Sequence, residues 1–199
     1  MAKDILFLWL AALPLMGSPG PATLSVAGVG TAFGFRVGMG YLCGIIMGTV
    51  GVLIMIATGI TALVLARPSL LAVLTLIAGA YILYLAWKIA TAPPHCMSPS
   101  TEAAPSFVPG FILAIANPKA FAAIGAVYSG HRLVDDNLTA DSISKIIALS
   151  VIIVIVNTVW LAFGATFSRV LTNPVIGRAV NTVFAVMLVM SVALAFLTS

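Results

Sequence analysis

Long apolar stretches separated by short polar segments run along this chain. Six of them approach or exceed the roughly 20 residues that a helix needs to cross a bilayer. They cover residues 5–35, 37–66, 69–87, 107–128, 146–167 and 175–197. Because the hydrocarbon core offers no water to pair exposed backbone groups, each stretch is predicted to be a helix. The pattern therefore predicts an all-α, polytopic membrane protein with six transmembrane helices.

Helix-breaking residues interrupt the first and the fourth stretch. The first contains Gly17-Ser18-Pro19-Gly20-Pro21, and the fourth contains Asn117-Pro118-Lys119. As one straight helix, residues 5–35 would extend roughly 46 Å at about 1.5 Å per residue, against a core of ~30 Å. We therefore expect the first and fourth helices to be broken. Paired breaks in the two halves of a membrane protein indicate a binding site.

Lys119 is the only charged residue of the fourth stretch. A lone ammonium inside a bilayer costs about 3 kcal/mol on insertion scales. Asn117 is predicted to be the helix N-cap and Pro118 its first residue, which leaves the amides of Lys119 and Ala120 at an electropositive terminus. Because the six stretches contain no Asp or Glu, we expect either a deprotonated lysine or a visiting anion. A lysine that snorkels to the headgroups is the alternative.

The first break is predicted to offer a second terminus for an anion. Ser18 would cap a turn that contains Pro19 and Pro21, whose missing N–H groups would be unpaired there in any case. The amides of Gly20 and Ala22 would then be free to bind the anion.

If the two halves are related by a twofold axis, the two termini converge near mid-membrane and hold a substrate carboxylate together with Lys119. The substrate amino group would need carbonyls near Gly17 or a side-chain oxygen, for which Thr49, Asn157 and Thr158 are candidates. The predicted substrate-binding residues are Ser18, Pro19, Gly20, Pro21, Asn117, Pro118 and Lys119, with Thr49 and Asn157 as further candidates.

An internal repeat is the next prediction. Each half contains a broken stretch, a long stretch and a stretch that a proline opens, Pro68 in the first half and Pro174 in the second. Three spans per half would give the halves opposite orientations in the membrane, which is the inverted-repeat arrangement of secondary transporters. The predicted domains are a first three-helix repeat over residues 1–91, a linker loop over 92–106 and a second three-helix repeat over 107–199.

Composition narrows the class further. Hydrophobic residues make up 62% and charged residues only 7% of the 199 residues, whereas about 25% of a soluble domain is charged. The nine Lys and Arg are scattered singly, which is typical of membrane-edge anchors and argues against nucleic-acid binding. Asp135, Asp136 and Asp141 fall in a polar insert between the fourth and fifth stretches.

The chain has no catalytic or metal-binding motif, and no cofactor is predicted. His95 and Cys96 are adjacent but lack partner ligands. An intramembrane enzyme would need a nucleophile or a metal cluster, and His95 and His131 are loop residues without a nearby carboxylate-rich motif in an apolar stretch. At the N-terminus, Lys3 followed by residues 5–16 is similar to a signal peptide. Cleavage there would remove the first break, so a retained first helix is the favoured interpretation.

Four motifs, in order between residues 5 and 130, resemble those of the LysE/RhtB family of small exporters, the LysE-type translocators. The first is Ser18-Pro19-Gly20-Pro21 with the later run Gly34-Phe35-Arg36-Val37-Gly38, and the second is Gly44-Ile45-Ile46-Met47-Gly48-Thr49. The third is Ala78-Gly79-Ala80-Tyr81-Ile82-Leu83-Tyr84-Leu85-Ala86-Trp87-Lys88, and the fourth is Gly110-Phe111 leading to Asn117-Pro118-Lys119.

The resemblance implies a six-helix carrier of the bacterial cytoplasmic membrane that exports amino acids or related small metabolites, with the proton gradient as its expected energy source. By position, Pro19-Gly20-Pro21 and Asn117-Pro118-Lys119 match the family's two breaks. Ala22 stands where many members have Asn, and Thr49 where many have Asp. The implied partners are an amino acid or similar anion or zwitterion and membrane lipids; a homodimer stays open.

The predicted function is export by alternating access, in which the two halves rock about a midplane site. The alternative is a membrane redox protein of similar architecture that transfers electrons through paired thiols. That function would require Cys43, in an apolar stretch, to meet Cys96, in the linker loop.

Overall fold

The computed structural model describes residues 2–59, 68–91, 105–170 and 174–197. Within these ranges the regular structure is helical throughout, without strands, which confirms the all-α prediction. The eight helices described are α1 Ala2–Gly17, α2 Pro21–Phe33, α3 Phe35–Ala57, α4 Pro68–Thr91, α5 Phe107–Ile115, α6 Pro118–Gly130, α7 Leu138–Val170 and α8 Pro174–Leu197.

Both predicted helix breaks are present. The chain bends by 67° between α1 and α2 and by 60° between α5 and α6. By length and composition, α3 and the Leu138–Thr166 part of α7 are each able to cross a membrane, and each bent pair is able to do so as one unit. The described residues therefore contain two candidate spans, or up to four with the bent pairs, and the six-span count stays a prediction.

The sequence predicted one continuous helix over residues 37–66, and this prediction was wrong. Helix α3 ends at Ala57, with Thr58 as its C-cap. Gly59 follows with a φ of 74°, the left-handed conformation that ends a helix and that glycine adopts without steric cost. The remainder of the stretch, residues 60–67, lies outside the described part of the chain.

Helix α7 begins earlier than the predicted start at residue 146, because Asn137 caps it. The side-chain oxygen of Asn137 accepts a hydrogen bond from the Ala140 amide at 3.0 Å. Asp141 and Lys145 thereby enter the first turns of the helix, where both are buried, with 4% and 6% of their surface exposed. Assigning Asp141 to a polar insert and Lys145 to a membrane-edge anchor was therefore wrong.

The burial of these two charges is stabilised by pairing. Lys145 Nζ lies 2.8 Å from Asp141 Oδ2, and it donates to the carbonyls of Tyr128 and His131 at 3.1 and 3.2 Å. Asp141 Oδ1 accepts the Leu133 amide at 2.6 Å. The ion pair thus fixes the loop between α6 and α7 and satisfies carbonyls at the end of α6.

Helices α2 and α3 pack closely against helices from the C-terminal part of the chain. Helix α3 has its most extensive contact with α5, and α2 with α7. Glycine permits this approach: a methyl group at Gly48 would lie 2.7 Å from the Phe111 carbonyl oxygen, and one at Gly110 would lie 2.6 Å from that of Tyr41. The backbones of the two halves are therefore in direct contact.

Buried apolar side chains form two clusters. One is built chiefly from α2, α3, α4 and α8, and the other from α1, α3, α6 and α7. Large apolar side chains such as Phe7, Trp87 and Ile147 point outward, each more than half exposed. Because water disfavours so much exposed apolar surface, this outer face suits a lipid environment.

Candidate functional site

The two helix breaks contact each other. The Lys119 ammonium, at the start of α6, donates a hydrogen bond to the carbonyl oxygen of Ser18, at the end of α1. The aliphatic part of the same side chain lies on Gly20, where an added methyl group would come within 2.5 Å of Lys119 Cδ. The structure thus brings the charge of the second break onto the backbone of the first.

The second break is capped as the sequence predicted. Asn117 is the N-cap of α6 in an extended conformation, and Pro118 follows in the first turn. The Asn117 side-chain oxygen accepts the Lys119 amide at 3.2 Å, and its carbonyl oxygen accepts the Ala120 amide at 3.0 Å. The amides of Lys119 and Ala120, which were predicted to lie at an electropositive terminus, therefore already have acceptors within the protein.

The first break differs from its prediction in two respects. The Ser18 hydroxyl donates back to the Leu15 carbonyl at 3.0 Å, and the N-cap of α2 is Gly20 instead. The Gly20 amide is not free, since it donates to Thr23 Oγ1 at 2.9 Å. That hydroxyl also donates to the Gly20 carbonyl at 3.1 Å. Thr23, which sequence reasoning did not single out, therefore closes the first turn of α2.

Two side chains from the C-terminal part of the chain donate hydrogen bonds to backbone carbonyl groups at the end of α1. Trp160 Nε1, on α7, donates to the Gly17 carbonyl at 3.1 Å. Lys119 Nζ donates to the next carbonyl, that of Ser18. Trp160 was missed because a single tryptophan in an apolar stretch carries no signal of such a long-range bond.

A small cavity of about 40 Å³ lies where the breaks meet α3 and α7. Lys119 is its one charged lining residue, and no acidic side chain lines it in the part of the chain described. The lining residues are Met16, Gly20, Ala22, Thr23, Thr49, Asn117, Lys119, Ala120, Ala123, Ile124, Ile153, Val156 and Asn157. The cavity is therefore mostly apolar, with a cation and a few polar groups at defined places.

The structure brings some of the predicted site residues to this cavity and not others. Gly20, Asn117 and Lys119 line it, and Ser18 contributes the carbonyl that binds Lys119. The prolines of the breaks do not line it: Pro19 and Pro118 are exposed and Pro21 is half-buried. The prolines thus shape the helix ends without forming the cavity wall.

Both further candidates, Thr49 and Asn157, line the cavity, whereas Thr158 does not. Thr49 Oγ1 donates to the Ile45 carbonyl at 2.7 Å. Asn157 Nδ2 donates to the Ile153 carbonyl at 2.8 Å, and this contact fixes the amide orientation because only the nitrogen has protons to donate. Asn157 Oδ1 is buried and accepts no hydrogen bond.

The described residues contain no group of three His, Cys, Asp or Glu that could hold a metal ion. Cys43 is exposed, and Cys96 lies outside the described residues, so the structure does not test the thiol pair that the redox alternative requires.

Broken helices whose ends meet at one site are the arrangement in which secondary transporters hold their substrates. Residues 13–199 match the family model described as LysE type translocator. The chain therefore belongs to the LysE family, as its motifs indicated.

Curated relatives extend along nearly the whole chain. It is 26% identical over 194 residues to a cysteine/O-acetylserine efflux protein of Salmonella choleraesuis, with 91% of each chain covered. It is 28% identical over 186 residues to the protein of that name from Escherichia coli, again with 91% of each chain covered. No solved structure matches the chain at a significant level.

Family membership identifies the chain as an integral membrane protein of a family of efflux transporters, which are not enzymes. It supports an exporter of small molecules such as amino acids. The redox alternative finds no support among the relatives.

Proposed function

We propose that this chain is a multi-pass secondary transporter of the bacterial cytoplasmic membrane that exports a small neutral amino acid by alternating access. The observation that carries the proposal is the contact of Lys119 with the Ser18 carbonyl beside a small, mostly apolar cavity. A cation in that position needs an anion for full compensation, and the described cavity lining supplies none.

Helix packing supports two related halves, residues 1–91 and 107–199, joined by the linker 92–106. If α1 and α2 correspond to α5 and α6, α3 to α7 and α4 to α8, a twofold axis would relate some of the contacts between the described helices. The contact of α3 with α5 then corresponds to the less extensive one of α7 with α1, and that of α2 with α7 to the less extensive one of α6 with α3. The contacts of α2 with α3 and with α8 have no counterpart of similar extent among the described helices. The twofold axis would exchange α3 with α7 and α4 with α8, so the contact within each of these pairs is related to itself.

Lys119 binds the substrate carboxylate. Because the amides of Lys119, Ala120 and Gly20 already have acceptors in the protein, the attraction rests mainly on the ammonium and less on the helix termini. A carboxylate forms a stronger, charge-assisted hydrogen bond with an ammonium than a carbonyl oxygen does. The substrate therefore displaces the Ser18 carbonyl from Lys119 when it enters.

The size of the cavity supports a moving carrier. A volume of about 40 Å³ holds about three water molecules, since each needs roughly 10–15 Å³ on this measure. Ligand pockets are commonly about 300–1,000 Å³. The halves must therefore separate at the breaks to admit an amino acid, and alternating access is a movement of that kind.

The lining and the relatives together suggest the substrate. Ala120, Ala123, Ile124 and Val156 present apolar surface, and no acidic side chain among the described lining residues would bind a cationic side chain. The relatives are named as efflux proteins for cysteine and O-acetylserine, both of which have short neutral side chains. The proton gradient is the proposed energy source. Many family members have Asp where this chain has Thr49. Because a threonine side chain has no ionisable carboxylate, a coupled proton would have to bind to another group.

The test is transport by purified protein in liposomes, with radiolabelled L-cysteine kept reduced and a pH gradient across the membrane. We expect the wild type to move L-cysteine against its concentration gradient, and Lys119→Met to abolish this movement while remaining folded and inserted. Lys3→Met is the matched control, because it removes an exposed lysine remote from the cavity lining. Undiminished transport by Lys119→Met would refute the proposed site.

A further inference from the structure

Asn157 presents an unused hydrogen-bond acceptor at the cavity. Its side chain is 95% buried, since 5% of its surface is exposed, and Oδ1 has no partner in the protein. The Nδ2 contact with the Ile153 carbonyl prevents the amide from simply turning over. Because a buried acceptor without a donor is unfavourable, this oxygen is suited to accept a hydrogen bond from a molecule that enters the cavity.

A second acceptor lies beside the cavity, on Ser18, which does not line it but binds the lining residue Lys119. The Ser18 carbonyl oxygen accepts the Lys119 ammonium and, more weakly, the Thr23 hydroxyl at 3.4 Å. In the proposed transport cycle, a substrate carboxylate takes over the Lys119 ammonium. The Ser18 carbonyl then loses its main donor. Two oxygens, that of the Ser18 backbone carbonyl and Asn157 Oδ1, would each need a hydrogen-bond donor.

We propose that the substrate ammonium is this donor: Asn157 Oδ1 recognises it, and the Ser18 carbonyl accepts from it once the carboxylate has taken Lys119. The inference rests on the proposed function and deepens it, because it restricts the substrate to compounds with a free ammonium beside the carboxylate. Binding then exchanges one internal contact, Lys119 with Ser18, for contacts at both charged ends of a zwitterion.

This exchange of hydrogen-bond partners explains how the site can be stable without substrate and still distinguish a zwitterion from a carboxylate without an ammonium. Without substrate, Lys119 and Ser18 pair with each other, and Asn157 Oδ1 is the unpaired buried side-chain atom among the described lining residues. With a carboxylate that lacks the ammonium, Lys119 is satisfied, but the Ser18 carbonyl keeps only the weak contact with Thr23 and Asn157 Oδ1 is left unpaired. A site built to hydrogen-bond a substrate N–H group rejects the analogue that lacks it strongly, because its own buried polar groups stay unpaired.

The experiment compares L-cysteine with 3-mercaptopropionate, which has the same thiol and carboxylate but no amino group. Both are assayed with protein in liposomes under reducing conditions. We expect the wild type to prefer L-cysteine by at least about tenfold in kcat/KM. In Asn157→Leu, the preference should fall to within about threefold, because the acceptor that distinguishes the two compounds is gone.

The control variant is Thr166→Val on the same helix. Thr166 Oγ1 donates to the Ala162 carbonyl at 2.7 Å at an exposed position, so the substitution removes the same kind of side-chain bond to the helix outside the cavity lining. We expect Thr166→Val to keep the wild-type preference. In detergent, Asn157→Leu should denature at the wild-type temperature or above it, because the substitution removes an unpaired buried oxygen. If Asn157 had only a structural role, the variant would denature at a lower temperature and keep the wild-type substrate preference.

The outcomes separate the two proposals. If the wild type transports L-cysteine but accepts 3-mercaptopropionate equally well, the role of Asn157 is refuted and the exporter stands. This comparison needs no variant and so does not depend on how Asn157→Leu folds. An unchanged preference in a folded Asn157→Leu protein refutes the inference too. A wild type that moves neither compound contradicts the proposed function itself.

Discussion

Lys119 and Ser18 are 101 positions apart in the chain, yet the ammonium of one donates to the carbonyl of the other. Each residue belongs to a helix break, and the bond joins the breaks of the two halves across the candidate site. A substrate that competes for Lys119 would therefore loosen the connection between the halves at the place where they must separate. In the proposed transport cycle, this bond would couple substrate binding to the separation of the breaks.

Gly20→Ala should impair transport without unfolding the protein. The added methyl group would lie 2.5 Å from Lys119 Cδ and 3.0 Å from its Nζ, so the lysine side chain must leave its position. We expect kcat/KM for L-cysteine to fall by about tenfold, which corresponds to ~1.4 kcal/mol. Gly125→Ala on α6 is the control, because a methyl group there has no heavy atom within 4 Å. Equal effects of both substitutions would contradict the explanation.

Trp160→Phe should weaken the first break. The substitution removes the donor to the Gly17 carbonyl at a cost of about 1 kcal/mol in the free energy of unfolding, and it should also slow transport. Trp9→Phe removes a similar bond, from Trp9 Nε1 to the Ala148 carbonyl at 3.1 Å, away from the cavity lining. Thermal denaturation in detergent and transport in liposomes measure the two effects. If Trp9→Phe slows transport as much, the bond at Gly17 has no special role.

Gly48→Ala should destabilise the contact between α3 and α5. Its methyl group would lie 2.7 Å from both the Phe111 carbonyl oxygen and the Ala114 methyl group, and overpacking of this kind costs about 1–3 kcal/mol. Gly40→Ala on the same helix meets nothing within 4 Å and should leave the denaturation temperature unchanged or slightly raised. A Gly48→Ala protein as stable as the Gly40→Ala protein would show that the helices separate easily there.

Asp141 and Lys145 should behave as a coupled pair. Removing one partner, in Asp141→Asn or Lys145→Met, leaves the other polar group buried and should cost about 3–5 kcal/mol in the free energy of unfolding. The double variant should be clearly more stable than the sum of the single losses predicts. Denaturation of all four proteins in detergent provides the thermodynamic cycle. Additive losses would mean that the ion pair contributes little to the loop between α6 and α7.

Local chemistry was enough to predict much of the fold. Apolar stretches predicted helices because a bilayer leaves no alternative for the backbone, and the proline-containing segments predicted both breaks. Asn117 as the N-cap of α6 followed from the proline after it. The end of α3 at Ala57 and the early start of α7 were missed, since apolar length alone does not reveal a left-handed glycine or a buried ion pair.

The sequence by itself determined which kinds of residue interrupt the helices, that Lys119 is the cation of its apolar stretch, and that the motifs are those of LysE-type translocators. These properties depend on residues close together in the chain. Only the tertiary structure decided that Ser18 accepts the Lys119 ammonium, that Thr23 accepts the Gly20 amide that was expected to be free, and that Asn157 Oδ1 is left without a donor. The physical reason is that hydrogen-bond partners are assigned by distance and direction in space, and residues far apart in sequence compete for the same donor.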